Sequence, residues 1–330
     1  MSELALRPLG STGLRVSELA LGAVTFGDTA DLAASRRILD AYLDAGGNLI
    51  DTADAYGSGA SEHVLGQLLG ERRDQVVLCT KAGMATGTGP NERGATRRHL
   101  VTALESSLRR LRTDWIDLYQ LHWPDPGTPQ EETLSALADF VRAGQVRYIG
   151  ASNYAGWQLA KGLGLSRLHG FPRYASVQGQ YSLASRDSEL DLLPLCAEDQ
   201  VAFLAWGPLG GGVLTGKYTA GRPPAAGSRL AQSPELALPL TDHVVTLAAT
   251  ARAVAGELGR TPAQVALRWV LDRPAVTAAL VGARTAGQLQ ENLGVRGWCL
   301  DTEHQQRLTA ASRLRLPYPH NLQQAFGVRG

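Results

Sequence analysis

The chain has 330 residues, of which 44% are hydrophobic and 19% are charged. Its 32 basic residues nearly balance its 31 acidic residues, so the formal net charge at pH 7 is +1. This composition is typical of a soluble globular protein and excludes the strongly basic surface of a nucleic-acid-binding protein. No run of about 18 apolar residues occurs, and the amino terminus lacks the regions of a secretory signal. We therefore expect a cytoplasmic protein that binds neither nucleic acid nor membrane.

Short apolar segments of the strand type recur along the chain. They cover residues 19–24, 48–53, 76–81, 116–122, 146–152, 175–180, 201–206 and 278–283. Segments with helical spacing lie between them, and several end at the glycine that is common just past a helix. Most strand ends are about 30 residues apart, which is the length of one βα unit. Eight such units predict an α/β fold, a (β/α)8 TIM barrel, and we expect residues 1–330 to form one domain.

The two ends of the chain extend this pattern. Residues 6–19, LRPLGSTGLRVSEL, predict an N-terminal β-hairpin that closes the bottom of the barrel. After residue 300, the segment TEHQQRLTAASRL predicts one C-terminal extra helix. A doubly wound nucleotide-binding fold is the main alternative, because it also alternates strands and helices. No GxGxxG motif follows any predicted strand, so the barrel is favoured.

Polar residues stand at the ends of several predicted strands, where the active site of a barrel enzyme forms. Asp51, Lys81 and His122 end three consecutive strands, and Tyr56 follows in the loop after Asp51. A phenol is a weak acid near pH 7, but a neighbouring ammonium such as that of Lys81 lowers its pKa. A carboxylate offsets the cost of burying the ammonium, and an imidazole can hydrogen-bond the reacting oxygen. Each residue alone is more often structural, but the four together fit one acid–base site.

Five short segments make the chain resemble the aldo-keto reductases, from about residue 7 to residue 295. They are DTADAY, TKAG, LHWPDP, GASN and GARTAGQLQEN. Members of that family are (β/α)8 barrels that reduce aldehydes and ketones with a nicotinamide cofactor, usually NADPH, and without a metal. The resemblance therefore implies an enzyme that acts on a small-molecule carbonyl substrate.

The resemblance places the catalytic tetrad of the family on the four residues that form the predicted acid–base site, Asp51, Tyr56, Lys81 and His122. It implies that Tyr56 protonates the carbonyl oxygen while hydride reaches the carbonyl carbon. Lys81, paired with Asp51, would lower the pKa of the tyrosine, and His122 would orient the carbonyl. Trp123 and Tyr56 are expected to line the substrate pocket.

The resemblance also implies an extended cofactor across the barrel top. Ser152, Asn153 and Gln178 are expected to contact the nicotinamide carboxamide, and Trp206 to stack on the nicotinamide ring. The expected contacts with the pyrophosphate come from the loop after the seventh strand, at Gly207, Pro208, Leu209, Gly212 and Lys217. Those with the adenosine and its 2′-phosphate come from the eighth unit, at Gly282, Arg284, Gln288, Glu291 and Asn292.

Several points stay open in the sequence: the cofactor, the function, the direction of the reaction, the substrate and the number of subunits. Arg284 favours NADPH, whereas some relatives carry a basic residue in place of Gln288, so NADH is also possible. A cofactor-binding regulatory module, similar to the channel-associated β subunits of this fold, is an alternative function. Oxidation of a sugar or another alcohol is an alternative direction, and the sequence sets neither the substrate nor the number of subunits.

Overall fold

The computed structural model describes residues 3–218, 229–232 and 238–328. Its strands in these ranges are β1 (Leu6–Pro8), β2 (Arg15–Ser17), β3 (Leu19–Gly22), β4 (Leu49–Asp51), β5 (Val77–Ala82), β6 (Ile116–Leu121), β7 (Val146–Ser152), β8 (Tyr174–Gln180), β9 (Ala202–Trp206) and β10 (Val276–Gly282). The last eight are parallel and close into a barrel in the order β10–β3–β4–β5–β6–β7–β8–β9. The predicted (β/α)8 barrel is confirmed, and each predicted strand overlaps an observed one.

The predicted hairpin is also present, because β1 and β2 pair antiparallel. Its turn lies against the start of β8 and β9, where a Cβ on Gly10 would come within 2.8 Å of Ala175 O and 2.9 Å of Ala202 N. Gly10 has a φ of 56°, which a glycine adopts without strain. Leu9 is fully buried beside it. The hairpin therefore closes the amino-terminal end of the barrel.

Helices follow most of the strands and cover the outside of the barrel. In the described ranges they are α1 (Leu32–Asp44), α2 (Ala60–Leu69), α3 (Arg97–Leu111), α4 (Gln130–Arg142), α5 (Gly156–His169), α6 (Leu192–Glu198), α7 (Arg229–Gln232), α8 (Asp242–Glu257), α9 (Pro262–Leu271), α10 (Ala286–Leu293), α11 (Thr302–Ala311) and α12 (His320–Ala325). Their apolar faces and the outward residues of the strands form the main core. A smaller apolar cluster joins the hairpin to residues inside the barrel, among them Leu49, Leu118 and Leu204. Within the described part of the chain, no helix is both long and apolar enough to cross a membrane.

The C-terminal region contains one helix more than the sequence predicts. The predicted helix is α11, which begins at an aspartate cap where Asp301 accepts a hydrogen bond from His304 N at 2.9 Å. The second helix, α12, has six residues and buries none of them. Because a helix without a buried face needs no apolar periodicity, the sequence carries no pattern that predicts it.

Candidate active site

The four predicted acid–base residues gather at the carboxyl-terminal ends of three neighbouring strands. Asp51 ends β4, Lys81 lies near the end of β5, and His122 directly follows β6. Successive side chains of a strand point to opposite faces, so Lys81 points into the barrel mouth while Thr80 points outward towards α2. Tyr56 approaches from the turn between β4 and α2. The fold therefore brings together residues that are 71 positions apart at most, from Asp51 to His122.

Lys81 is the centre of the site. Its Nζ donates to Asp51 Oδ2 at 2.6 Å, to Thr52 O at 2.9 Å and to Tyr56 Oη at 3.3 Å. The side chain is fully buried, and Asp51 is 4% exposed. An ammonium has three N–H donors, and here each has an oxygen acceptor. A buried charge is stable only with such pairing, so the contacts explain how Lys81 is held in the barrel.

The pKa values of Lys81 and Tyr56 are both higher than usual. Burial alone lowers the pKa of Lys81, but the Asp51 carboxylate and its hydrogen bond outweigh this and raise it. For Tyr56, loss of hydration raises the pKa, and the Lys81 ammonium opposes this without reversing it. Lys81 thus lowers the tyrosine pKa in the expected direction, but burial raises it by more, so the net shift is upward. Tyr56 is a neutral phenol at pH 7, which is the form that can donate a proton.

His122 completes the group beside Tyr56. The two rings meet edge to face, with centroids 5.6 Å apart and an interplanar angle of 80°. Burial and the charge of Lys81 lower the pKa of His122 to about 3, so the imidazole is neutral at pH 7. Its Nδ1 is buried without a hydrogen-bond partner. A neutral imidazole keeps one N–H donor, which can orient a substrate oxygen without adding charge.

A polar layer supports these residues from below, through hydrogen bonds that the sequence analysis did not predict. Gln178 Nε2 donates to Asp51 Oδ1 at 2.8 Å, so each oxygen of this carboxylate has its own donor. Deeper in the barrel, Gln120 Nε2 donates to Cys79 Sγ at 2.9 Å and Ser176 Oγ donates to Gln120 Oε1 at 3.3 Å. The sequence signal for this layer is a glutamine inside each of two apolar strands, Gln120 in IDLYQL and Gln178 in ASVQGQ. Cys79 is a buried free thiol.

With this geometry in place, comparison with known proteins decides the family. A sequence model of the Aldo/keto reductase family matches residues 18–313. This chain belongs to the aldo/keto reductase family. As a member with a complete barrel, it is an NAD(P)H-dependent oxidoreductase that acts on carbonyl or CH–OH groups.

Three relatives illustrate the extent of the similarity. The uncharacterized oxidoreductase YrpG of Bacillus subtilis is 39% identical over 306 residues, which cover 89% of this chain and 92% of that protein. The aldo-keto reductase YhdN of the same bacterium is 35% identical over 304 residues, or 90% of each protein. A probable voltage-gated potassium channel subunit beta of Arabidopsis thaliana is 36% identical over 293 residues, 86% of this chain and 89% of that protein. The similarity therefore covers nearly the whole barrel.

In this aldo/keto reductase, the expected nicotinamide contacts lie on the strands that follow the tetrad. Asn153 connects them: its Nδ2 donates to His122 O at 3.0 Å and to Ser152 Oγ at 3.2 Å, and its Oδ1 accepts from Trp206 Nε1 at 2.9 Å. Asn153 has a φ of 58°, in the left-handed region that asparagine tolerates better than most residues. Ser152 is paired with Gln178 across β7 and β8. The amide and hydroxyl groups of the three expected carboxamide contacts thus lie together on one side of the barrel mouth.

In the glycine-rich loop after β9, the ammonium of Lys217 lies against the backbone of Gly212, which carries no side chain. Gly212 has a φ of 95°, and a Cβ there would lie 2.8 Å from Lys217 Nζ. Lys217 Nζ also lies 5.2 Å from the centroid of the Tyr218 ring. Backbone without side chains and a nearby ammonium are groups that suit a phosphate. The other loop residues expected at the pyrophosphate, Gly207, Pro208 and Leu209, immediately precede this turn.

The expected adenosine residues form a separate group at the end of β10 and in α10. Gly282 ends the strand, and Arg284 N donates to Gln288 Oε1 at 2.8 Å, so Gln288 helps to close the turn into the helix. Asn292 is buried, whereas Glu291 is exposed. The strand β3 lies between β10 and the tetrad strand β4. The cap of α10 is Thr285, whose hydroxyl accepts from Gln288 N at 3.3 Å, a role that sequence reasoning did not assign.

Proposed function

We propose that this aldo/keto reductase uses NADPH to reduce small aldehydes or ketones to alcohols, with Tyr56 as the proton donor. The observation that carries the proposal is the series of contacts from Asp51 through Lys81 to Tyr56, at 2.6 and 3.3 Å. It fixes a positive charge beside a neutral phenol. A phenolate that forms when the proton leaves is therefore stabilised at once, without rearrangement of the site.

In the proposed mechanism, each of the four residues has a separate role. When bound, the cofactor would supply the hydride that the carbonyl carbon accepts. Tyr56 Oη donates its proton to the carbonyl oxygen as negative charge develops there, which yields the alcohol. Lys81 stabilises the phenolate, and Asp51 keeps the ammonium charged and in place. His122 donates a hydrogen bond to the same oxygen and orients the carbonyl for attack.

The residues around the rim fit the chemical groups of the cofactor. We assign Ser152, Asn153 and Gln178 to the carboxamide and Trp206 to the nicotinamide ring, because their amides, hydroxyl and indole match those groups. Gly207, Pro208, Leu209, Gly212 and Lys217 are assigned to the pyrophosphate. Gly282, Arg284, Gln288, Glu291 and Asn292 are assigned to the adenosine and its 2′-phosphate. A guanidinium ahead of the amino terminus of α10 suits that phosphate, which favours NADPH over NADH.

The function is tested by a substrate screen with the purified protein. We expect carbonyl-dependent oxidation of NADPH by small aldehydes or ketones, slower oxidation of NADH, and formation of one alcohol per cofactor oxidised. A parallel panel of sugars and other alcohols with NADP⁺ measures the oxidative direction. Absence of carbonyl-dependent cofactor oxidation across the panel would contradict the proposal.

A second candidate function is a regulatory module that binds NADPH and acts through a partner protein. The similarity to a protein named as a channel β subunit favours it. The intact contacts of Lys81 with Asp51 and Tyr56 favour the enzyme instead, because a module that only binds cofactor has no need of them. Calorimetry and turnover on one sample separate the two. Tight NADPH binding without turnover supports the module, and turnover supports the reductase.

A further inference from the structure

Asp54 lies between Asp51 and Tyr56 in the segment DTADAY, and the proposed reaction gives it no role. The residue is 3% exposed, and neither oxygen of its carboxyl group has a hydrogen-bond partner. Buried polar groups nearly always have partners, and an ionised carboxylate without a donor is strongly disfavoured away from water. Burial without partners therefore favours the uncharged carboxylic acid at this position.

An ion pair between Glu62 and Arg110 lies near this carboxyl group. Glu62, in the first turn of α2, is fully buried. Its Oε1 accepts from Thr80 on β5 at 2.5 Å, and its Oε2 accepts from Arg110 Nε on α3 at 2.7 Å. The guanidinium of Arg110 is thus engaged by the carboxylate of Glu62. A negative charge on Asp54 would be a second one beside it.

The other groups around the Asp54 carboxyl group, Tyr119 and Lys81, do not remove the cost of a negative charge there. Tyr119, from β6, has a buried hydroxyl without a partner. Burial raises the pKa of this phenol, and a negative charge on Asp54 would raise it further. Lys81, on the barrel side, directs its three donors to Asp51, Thr52 and Tyr56. The carboxyl group of Asp54 is therefore enclosed by one ion pair, one unpaired phenol and an ammonium that is already in use.

The backbone of Asp54 connects this enclosure to the proton donor. Its N–H donates to Lys81 O at 3.0 Å, which joins the turn after β4 to the end of β5. Two residues later, Tyr56 N donates to Ala53 O at 3.2 Å and completes the turn. The distance between Tyr56 Oη and Lys81 Nζ consequently depends on how this turn packs.

We propose that Asp54 is a positioning residue that works as a neutral acid: while it is protonated the Tyr56 turn packs in place, and loss of the proton to solvent releases the turn and lowers turnover. The released carboxylate moves away from Glu62 towards water, and Tyr56 is displaced from Lys81. The inference rests on the proposed function of Tyr56.

The titration of Asp54 is separate from those of its neighbours in the tetrad. Burial and the charge of Glu62 raise the pKa of Asp54 to about 7. The pKa values of Tyr56 and Lys81 shift upward, and that of His122 falls to about 3. A decline of turnover close to neutral pH therefore points to Asp54 and not to these three residues.

The first readout is the pH profile of turnover for the wild type and for Asp54→Asn, whose side chain has the same shape but no charge. The wild type should lose activity by up to about tenfold per pH unit above neutrality, and the variant should not show this decline. Asp74→Asn, at an exposed position, is the matched control and should keep the wild-type profile. An unchanged alkaline decline in Asp54→Asn overturns the inference.

The second readout is thermal stability, which does not depend on turnover. The folded state keeps the Asp54 proton up to a pH of about 7, whereas the unfolded chain loses it above a pH of about 3.9. The native state thus binds more protons in this window, so the wild type loses stability there as the pH rises. The melting temperature of Asp54→Asn minus that of the wild type should grow from pH 5 to pH 7.

The two readouts distinguish the possible failures. A pH-independent difference in melting temperature overturns the neutral acid, even if the protein is an active reductase. A growing difference in a protein without carbonyl reduction supports the neutral acid and overturns only the proposed function. If Asp54→Asn does not fold, Asp54→Ala replaces it, with the same expectations for both readouts. Asp54→Glu, which restores a carboxyl group, should restore a pH-dependent profile.

Discussion

Gln178 Nε2 donates a hydrogen bond of 2.8 Å to Asp51 Oδ1 across the width of the barrel. Three strands separate β8 from β4 in either direction around the closed sheet, so the two residues start from opposite walls. One amide thus links the side of the barrel expected to hold the nicotinamide with the carboxylate that fixes Lys81. The proposed nicotinamide side and the acid–base site are therefore physically connected through this bond.

Replacement of Gln178 by alanine should affect both the stability of the protein and the binding of NADPH. Asp51 loses one of its two side-chain donors, and a buried acceptor without a partner costs about 1–3 kcal/mol. We therefore expect the free energy of unfolding in urea to fall by that amount and the dissociation constant of NADPH to rise. Gln67→Ala, at an exposed position, is the control and should change the free energy of unfolding by no more than about 0.5 kcal/mol. Wild-type values of both quantities in Gln178→Ala would contradict the link.

The ion pair of Lys81 and Asp51 should behave as one unit. Lys81→Met leaves a buried carboxylate without its cation, which should lower the free energy of unfolding by about 3–5 kcal/mol. Asp51→Asn combined with Lys81→Met removes both charges and should recover most of that loss. Lys81→Met and the double variant should both lose turnover, because the phenolate of Tyr56 then lacks a positive neighbour. A double variant that recovers none of the stability lost in Lys81→Met would show that the pair does not act as a unit.

The glycine loop gives a prediction about the cofactor alone. Gly212→Ala places a side chain at a φ of 95° and against the ammonium of Lys217, at a strain of about 1–3 kcal/mol. We expect weaker NADPH binding by calorimetry, with Lys81, Asp51 and Tyr56 undisturbed. Gly164→Ala is the matched control, because Gly164 lies in α5 with nothing within 4 Å of its added Cβ. Equal affinities of the two variants would remove Lys217 and its loop from the cofactor site.

His122 predicts an acid-sensitive component of stability. Its pKa is lowered from 6.5 to about 3 in the folded protein, so between these values the unfolded chain binds more protons. Stability contributed by the neutral imidazole is therefore complete above pH 6.5 and falls by about 1.4 kcal/mol per pH unit below it. His122→Gln should flatten this dependence in urea unfolding at pH 6.5, 5.5 and 4.5, and the exposed-site control His243→Gln should not. Parallel curves for the wild type and His122→Gln would be the contrary result.

The barrel and the grouping of the four acid–base residues could be predicted because both follow from local sequence patterns. Each strand is a short apolar segment, and its last residue falls at the mouth in any barrel of this kind. Asp51, Lys81 and His122 are thus brought together by strand order alone. The bond from Gln178 to Asp51 could not be predicted in this way, because it joins opposite strands and depends on the closure of the whole barrel.

Burial was the second quantity that the sequence could not supply. Asp54 is a polar residue in a connecting turn, where exposure is the usual expectation. Its enclosure depends on how α2 and α3 pack against β5 and β6. The same limitation explains the net pKa of Tyr56, because the charge of Lys81 is visible in the sequence, whereas the extent of burial that opposes it is not.

The most direct test of the account is the turnover of Tyr56→Phe with an aldehyde accepted by the wild type. The variant keeps an aromatic ring beside His122 and removes only the hydroxyl proposed to donate the proton. We expect NADPH binding close to that of the wild type and turnover lower by about 10²- to 10⁴-fold. Aldehyde reduction at the wild-type rate would contradict the assignment of Tyr56 as the acid, and with it the role proposed for the Asp51–Lys81 pair.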